Sequence, residues 1–186
     1  MNYIGQTICG GAALSTLSSL ANLVKPLKGD VVEVGVYRGG SALRLSSILT
    51  EDKIYLFDTF EGLPDTNEFD NFHKKGDFND TSYEGVVQLF ADNKNVFVYK
   101  GIFPQENSEV LVDKKFKLVH LDVDTYTSYK ECLAFFHDKI VSGGIMVFDD
   151  YNARTCLGSK KAIDEYVYQY GLVLQFGGDD QAYLKY

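Results

Sequence analysis

Positive charge is scarce in this chain and nowhere gathered. Its 18 Lys and Arg stand against 26 Asp and Glu, giving a formal net charge of -8 and a pI near 4.8. Lys74-Lys75, Lys114-Lys115 and Lys160-Lys161 are isolated pairs, read as solvated faces. A nucleic-acid backbone is therefore not expected as a partner, because phosphate binding relies on clustered cations. Cysteine is equally sparse. Cys9, Cys132 and Cys156 are odd in number, widely spaced and free of any CxxC pair, which argues against a disulfide framework or a zinc knuckle and for a reducing, cytoplasmic setting. No apolar run reaches the ~18 residues of a membrane span, and Met1 to Gly11 lacks a basic segment ahead of a long apolar one. The expectation is a chain neither exported nor anchored, with no membrane partner. Internal repeats and low-complexity segments are also lacking.

What is present is a substantial core. With 186 residues, 45% of them hydrophobic and 14% aromatic, the chain reads as one domain spanning 1–186, with residues 1–29 contributing an N-terminal cap helix. Leu14, Leu17, Leu20, Ala21 and Val24 recur at helical spacing before Pro26 and Gly29 stop the pattern. Strands are expected near 31–36, 53–58, 96–100, 117–122 and 144–149, alternating with helices near 40–49, 81–90, 127–137 and 159–170. That rhythm predicts an α/β, doubly wound, mostly parallel sheet. The last two apolar runs, Gly171 to Phe176 and Gln181 to Tyr186, are separated only by Gly177-Gly-Asp-Asp180, too few residues for a parallel crossover. They are expected to form an antiparallel hairpin. The long irregular stretch from Thr59 to Asp80 is expected to lie over the site as a surface loop.

In an open parallel sheet the carboxyl ends of the strands share one rim, where ligands bind. Three sequence features converge there. The first is the glycine turn Val34-Gly-Val-Tyr-Arg-Gly-Gly-Ser41, where Gly35, Gly39 and Gly40 permit a tight turn and the next helix offers free N–H groups to an anion. Glu33, inside an apolar run just before it, needs a buried partner: a ligand group or a neighbour such as Arg38. The second is Asp58, about twenty residues further on, placed to accept ribose hydroxyls. Together they suggest a nucleoside cofactor without choosing among NAD, FAD and S-adenosylmethionine. The third is the acidic set Asp122, Asp149 and Asp150, whose mutual repulsion at one rim calls for a cation. Hard oxygen ligands suit Mg²⁺, with Mn²⁺ or Ca²⁺ as alternatives. His73, in the long loop, is a candidate to contact substrate or take a proton. His120 and His137 read as structural, and Tyr126 and Tyr151 either as walls for a sugar or, equally, as ordinary core residues.

These residues resemble a known family, the macrocin O-methyltransferase-like, S-adenosylmethionine-dependent sugar methyltransferases. The matching segments are Val32 to Ser41, Phe57-Asp-Thr-Phe-Glu-Gly-Leu-Pro64, Lys100-Gly-Ile-Phe103, Leu121-Asp-Val-Asp-Thr-Tyr126 and Gly143-Gly-Ile-Met-Val-Phe-Asp-Asp-Tyr151. The resemblance implies a class I methyltransferase fold and S-adenosylmethionine as cofactor. It implies that Glu33, Gly35, Arg38, Gly39 and Ser41 hold the methionine part, Asp58 the ribose, and Gly101 and Ile102 the adenine edge. It also implies that Asp122, Asp149 and Asp150 bind Mg²⁺, with Asp122 touching the cofactor region and serving as general base and Asp124 as an alternative base. The implied reaction is methyl transfer to a sugar or polyol hydroxyl. A catechol-like phenol acceptor and a degenerate binding module are the alternatives. An NAD-dependent oxidoreductase is disfavoured, since no catalytic Tyr-x-x-x-Lys pair is expected at the site and the aspartates would have no role. Two features depart from the family pattern: Thr127 stands where its members commonly carry Glu, and only about thirty residues precede the first strand. An exposed N-terminal helix would be compatible with a homo-oligomer.

Overall fold

The computed structural model describes residues 4–186. Its elements run α1 (Gly11–Val24), β1 (Asp30–Val34), α2 (Gly40–Ile48), β2 (Ile54–Asp58), α3 (Tyr83–Leu89), β3 (Val96–Lys100), β4 (Phe116–Leu121), α4 (Tyr126–Phe136), β5 (Ile140–Phe148), α5 (Leu157–Tyr170), β6 (Gln175–Phe176) and β7 (Ala182–Lys185). The strands form one seven-stranded sheet in the order β3-β2-β1-β4-β5-β7-β6. β1, β2, β3, β4 and β5 pair in parallel, and β7 runs antiparallel to both β5 and β6. This is the expected doubly wound sheet with its terminal hairpin. The chain winds outward from β1 to β3, then returns to β4 beside β1, so the switch point of the topology lies between β1 and β4.

Side chains alternate between two buried layers, as the period of two in a strand requires. Val32, Val34, Val119, Leu121, Met146 and Phe148 pack with α4 and α5 on one face. Val31, Leu118, Ile145 and Val147 pack with α1, α2 and α3 on the other. α1 shares this layer with α2 and α3, burying its own Leu17, Leu20, Ala21 and Val24. Its N-terminus is held by the C-terminal hairpin, where Asp179 Oδ2 accepts from the Ala13 N–H at 2.8 Å and Thr16 Oγ1 accepts from the Gly178 N–H at 2.8 Å. That docking carries the preceding segment, Gln6 to Cys9, across the carboxyl rim.

Most boundaries shift by one or two residues, and three departures from the sequence reading are larger. β5 begins at Ile140 rather than 144, because Ile140 pairs with Phe116 before a register irregularity. The first hairpin strand shrinks to Gln175–Phe176, with Leu172 and Leu174 packed against the core instead of paired. A short 3₁₀ turn at Ser108–Leu111 buries Leu111 and carries no periodic signal. Among the described residues, no helix is long and apolar enough to cross a membrane.

Candidate active site

The chemistry-bearing segments meet in one cavity of about 260 Å³ at the β1/β4 switch point. Its walls come from the turn after β1, the end of β2, the long loop after it, Ile102 and Phe103, the turn after β4, the end of β5, and the N-terminal segment Gln6 to Cys9. Of the residues singled out from sequence, Gly35, Ser41, Asp58, His73, Ile102, Asp122, Asp149 and Asp150 line it, while Glu33, Arg38, Gly39 and Gly101 do not.

At the glycine turn, the need for Gly35 comes from the protein itself. Its φ is +89°, and a Cβ there would lie 1.7 Å from the Asp122 carbonyl oxygen. The β1 and β4 ends therefore approach as closely as backbone permits, which draws the glycine turn and the acidic turn together. Asp58 organises this corner: Oδ2 accepts from the N–H groups of Val36 and Tyr37 at 2.8 and 2.7 Å, and Oδ1 from Phe60 at 2.6 Å. Burial raises its pKa, and these three amides oppose the shift. Oδ2 is filled by its two amides, so Oδ1 is the oxygen that keeps lone-pair capacity for a ligand hydroxyl. Arg38 is engaged elsewhere, pairing with Asp80 and lying 4.6 Å from the Tyr37 ring centroid, so it anchors the end of the long loop.

Glu33 is fully buried, and its partner is not Arg38. Oε1 accepts from Ser41 Oγ at 2.5 Å and lies 3.3 Å from His120 Nδ1, an ion-pair contact without hydrogen-bond alignment. On its other side, His120 Nε2 is 3.4 Å from Asp149 Oδ1. Burial by itself would lower the imidazole pKa, but Asp149 and Glu33 outweigh it and push it up to about 10. His120 is thus a buried cation linking the glycine turn to the acidic rim. Gln181, at the start of the last strand, donates to the same Asp149 oxygen at 2.5 Å. Burial raises the Asp149 pKa, yet His120, Gln181 and Cys9 more than reverse this and hold it below the usual carboxylate value.

The remaining aspartates are not neutralised in this way. β4 stops at Leu121, and Asp124 adopts a left-handed φ of +58° ahead of the α4 N-cap, Thr125. This turn folds the Asp124 carboxylate back beside its neighbours, so oxygens of Asp122, Asp124 and Asp150 lie within 4.8 Å of one another. Asp149 belongs to a second cluster, with Asp122 and the Cys9 thiol, so Asp122 is common to both. Asp150 Oδ2 accepts from Tyr129 Oη at 2.9 Å and from the Asp124 N–H at 3.1 Å. Burial, then carboxylate repulsion, raises the pKa of Asp122 and Asp150. Burial also lifts Asp124 to about 6, against the pull of His73 and Cys156. Among the described residues lining the cavity there is no lysine or arginine. A set dominated by carboxylate oxygens, with no lysine or arginine beside it in the lining, fits a hard divalent ion.

The loop expected over the site does lie there. Gly62, Leu63, Pro64, His73 and Phe78 reach the cavity, and Asp70 pins the loop by accepting from the Tyr126 N–H at 2.8 Å. Thr127, where the resemblance leads one to look for Glu, accepts from Asn67 Nδ2 at 3.0 Å and so also serves the loop. His73 is only 9% exposed, wedged between Asp77 and Asp124. The tyrosine walls are corrected: Tyr126 donates to Glu165 and Tyr151 to Asp164, and neither lines the cavity. Tyr126 and Lys130 do have Tyr-x-x-x-Lys spacing on α4, but both bind Glu165 away from the site. His137 is structural, as expected, on Tyr166 and Tyr170. Cys9, His120, Cys156 and Gln181 were not legible as site residues, since each reaches the rim through a contact distant in sequence. Only the apolar flanks of His120, which mark it as buried in a strand, gave any signal.

Known O-methyltransferases resemble this chain in sequence and in fold. The demethyldecarbamoylnovobiocin O-methyltransferase of Streptomyces niveus is 28% identical over 155 residues, covering 74% of this chain and 58% of that protein. The mycinamicin III 3''-O-methyltransferase of Micromonospora griseorubida is 25% identical, covering 91% of this chain and 73% of that one. The chain thus spans little more than half the length of the first of these relatives. Among solved structures, the O-methyltransferase NovP matches with a TM-score of 0.84 at 26% identity, over 95% of this chain and 80% of that chain. The calicheamicin methyltransferase CalS11 matches at 0.81 and 20% identity, over 93% and 78%, a likeness of fold alone. The family described as macrocin-O-methyltransferase (TylF) matches residues 2–176, nearly the whole chain, and this protein belongs to that family.

Proposed function

We propose that this single domain is an S-adenosylmethionine-dependent O-methyltransferase acting on a sugar or polyol hydroxyl with a divalent metal. The observation that carries this reading is one continuous cavity whose one wall is the glycine turn with Asp58 and whose other wall is the aspartate rim. The named activities of the relatives support the same reaction class.

In this reading Asp58 and the Gly35–Ser41 turn hold the nucleoside and methionine parts of the cofactor, with Ile102 and Phe103 against the adenine. Glu33 acts through Ser41, and Arg38, Gly39 and Gly101 shape the walls rather than touch the ligand. Asp122, Asp149 and Asp150 would hold Mg²⁺, which when bound supplies Lewis-acid polarisation of an acceptor hydroxyl. The chain's own work is positioning. It sets the acceptor oxygen in line with the methyl sulfonium, as a direct displacement requires. It also accepts the hydroxyl proton, at Asp122 or at Asp124 backed by His73 and, behind it, Asp77. The long loop and the Gln6–Cys9 segment exclude water over the cavity. Free thiols at Cys9, Cys132 and Cys156 support a cytoplasmic setting. The proposal includes no nucleic-acid or membrane partner and is compatible with a homo-oligomer.

Calorimetric titration of S-adenosylhomocysteine, with NAD in parallel, tests the cofactor; methyl transfer to sugar and catechol acceptors with Mg²⁺ or EDTA tests the rest. Micromolar S-adenosylhomocysteine binding without NAD binding, and EDTA-sensitive transfer to sugars, is expected. A folded protein that binds no S-adenosylhomocysteine would sink the proposal in favour of a binding module, and preferred transfer to catechols would replace the acceptor class.

A further inference from the structure

We propose that His73, Asp124 and Cys156 form a second metal site, suited to a borderline divalent ion such as Zn²⁺, beside the aspartate rim. The three side chains come from the long loop, the turn after β4 and the N-cap of α5, and their ligand atoms lie within 4.8 Å of one another. Cys156 Sγ is 3.6 Å from His73 Nε2 and 3.6 Å from Asp124 Oδ1, and Nε2 is 3.9 Å from Oδ1. Tetrahedral zinc bonds would place sulfur about 3.6 Å from the nitrogen and the oxygen, and those two about 3.4 Å apart. The triad thus needs to close only by half an ångström along one edge.

The surroundings are those of a ligand set. His73 Nδ1 is 3.6 Å from Asp77 Oδ2, an ion-pair contact that sets a carboxylate behind the imidazole, on the side where metal-bound histidines commonly have one. Phe72 and Phe78 flank the ring, with centroids 5.4 Å away in each case, and restrict its rotation. His73, Asp124 and Cys156 all line the cavity, so three protein ligands would leave a fourth position facing it.

A Cys-His-Asp set could also be read as a nucleophile and its base. The electrostatics oppose that reading. Sγ is buried and has carboxylates on two sides, Asp124 at 3.6 Å and Asp150 at 3.9 Å, both of which disfavour an uncompensated negative charge on sulfur. A cation offsets both effects, whereas a free thiolate would suffer them. Mixed S, N and O donors separate this site from its neighbour, since soft sulfur favours zinc over magnesium.

Metal binding here does not depend on the transferase reading, but it has a consequence within it. Asp124 and His73 cannot accept the acceptor proton while they ligate an ion. Zinc bound here therefore closes the Asp124 route for the proton and leaves Asp122 alone to take it.

The test is titration of Co²⁺ into the full chain under saturating Mg²⁺, followed by Zn²⁺ displacement. One equivalent should produce a thiolate-to-cobalt charge-transfer band that zinc bleaches. The band should vanish in Cys156→Ser and persist in Cys9→Ser. Asp77→Asn should weaken Co²⁺ by about 10-fold to 100-fold, and His73→Gln by more. No band in folded wild-type protein would overturn the site, as would a band that survives Cys156→Ser and is lost in Cys9→Ser. If Cys156→Ser does not fold, unchanged Co²⁺ affinity in His73→Gln overturns it instead. Zinc bound with full methyl transfer would retain the site and remove Asp124 and His73 as proton acceptors.

Discussion

Lys117 and the aspartate rim stand at opposite ends of the same sheet, and both are buried charge. Lys117, 1% exposed at the start of β4, donates to the Lys25 and Leu27 carbonyls at 3.0 and 3.2 Å and pairs with Asp52 at 2.8 Å. Every direction its ammonium can donate is met by oxygen, as burial of a cation demands. At the carboxyl end, Asp122, Asp124 and Asp150 crowd together, while Asp149 is set against His120. One end has charge balanced within the fold. The other concentrates like charge that something from outside must balance. Helix N-termini face the carboxyl rim and helix carbonyls the other, but backbone groups alone do not produce this difference. It comes from which side chains the loops bring to each edge.

Changing Asp149 to Asn should have the largest effect of this set. Metal-dependent methyl transfer should fall by about 1,000-fold, while calorimetric affinity for S-adenosylhomocysteine changes little. Equal loss of both would mean that cofactor and metal are not held separately. At the balanced end, Lys117→Ala should cost about 3 kcal/mol in urea unfolding by leaving Asp52 and two carbonyls unpaired, with transfer per folded molecule retained. Lys117→Met, which restores the packing of the stem but not the charge, should recover only a small part of that stability, and full recovery would contradict the ion-pair account. Smaller again, Asp58→Ala should weaken S-adenosylhomocysteine by about 10-fold, since three backbone amides lose their common acceptor; unchanged affinity would leave Asp58 a turn residue alone.

The smallest effect belongs to Glu165, on the surface of α5 and away from both edges. Hydrogen bonds from Lys161, Tyr126 and Lys130 hold its carboxyl down to about 2, from an ordinary value of 4.5. A depressed folded pKa stabilises above the unfolded value and loses that contribution as pH falls from 4.5 toward 2. Because solvent screens this exposed cluster, Glu165→Gln should only slightly flatten the acid limb of stability. A marked loss at neutral pH would contradict that placement.

The sheet was largely legible because its signals are local. Val31 to Val34, Ile54 to Phe57 and Leu118 to Leu121 are apolar runs between turn residues, and α1 spans Gly11–Val24 as the spacing of Leu17, Leu20 and Val24 implies. Where pairing rather than pattern decides, the reading slipped, as at Ile140 and in the short β6. Most cavity residues were legible too, since glycines and carboxylates stand out beside apolar strands. Arg38 was harder to assign. Its charge suggests a ligand contact, whereas Asp80, 42 residues away, takes it. Tyr126 and Tyr151 failed likewise, because α5 supplies their acid partners Glu165 and Asp164.

By itself the sequence determined the alternation of strand and helix, the terminal hairpin and the presence of Asp58, Asp122, Asp149 and Asp150 at strand ends, because periodicity and turn chemistry act over a few residues. Only the tertiary structure decided that His120 joins Glu33 to Asp149, that Asp124 turns back toward Asp122 and Asp150, and that Cys156 meets His73 across 83 residues of chain. Such contacts follow from strand order and loop docking, which bring together residues whose separation along the chain carries no periodic signal.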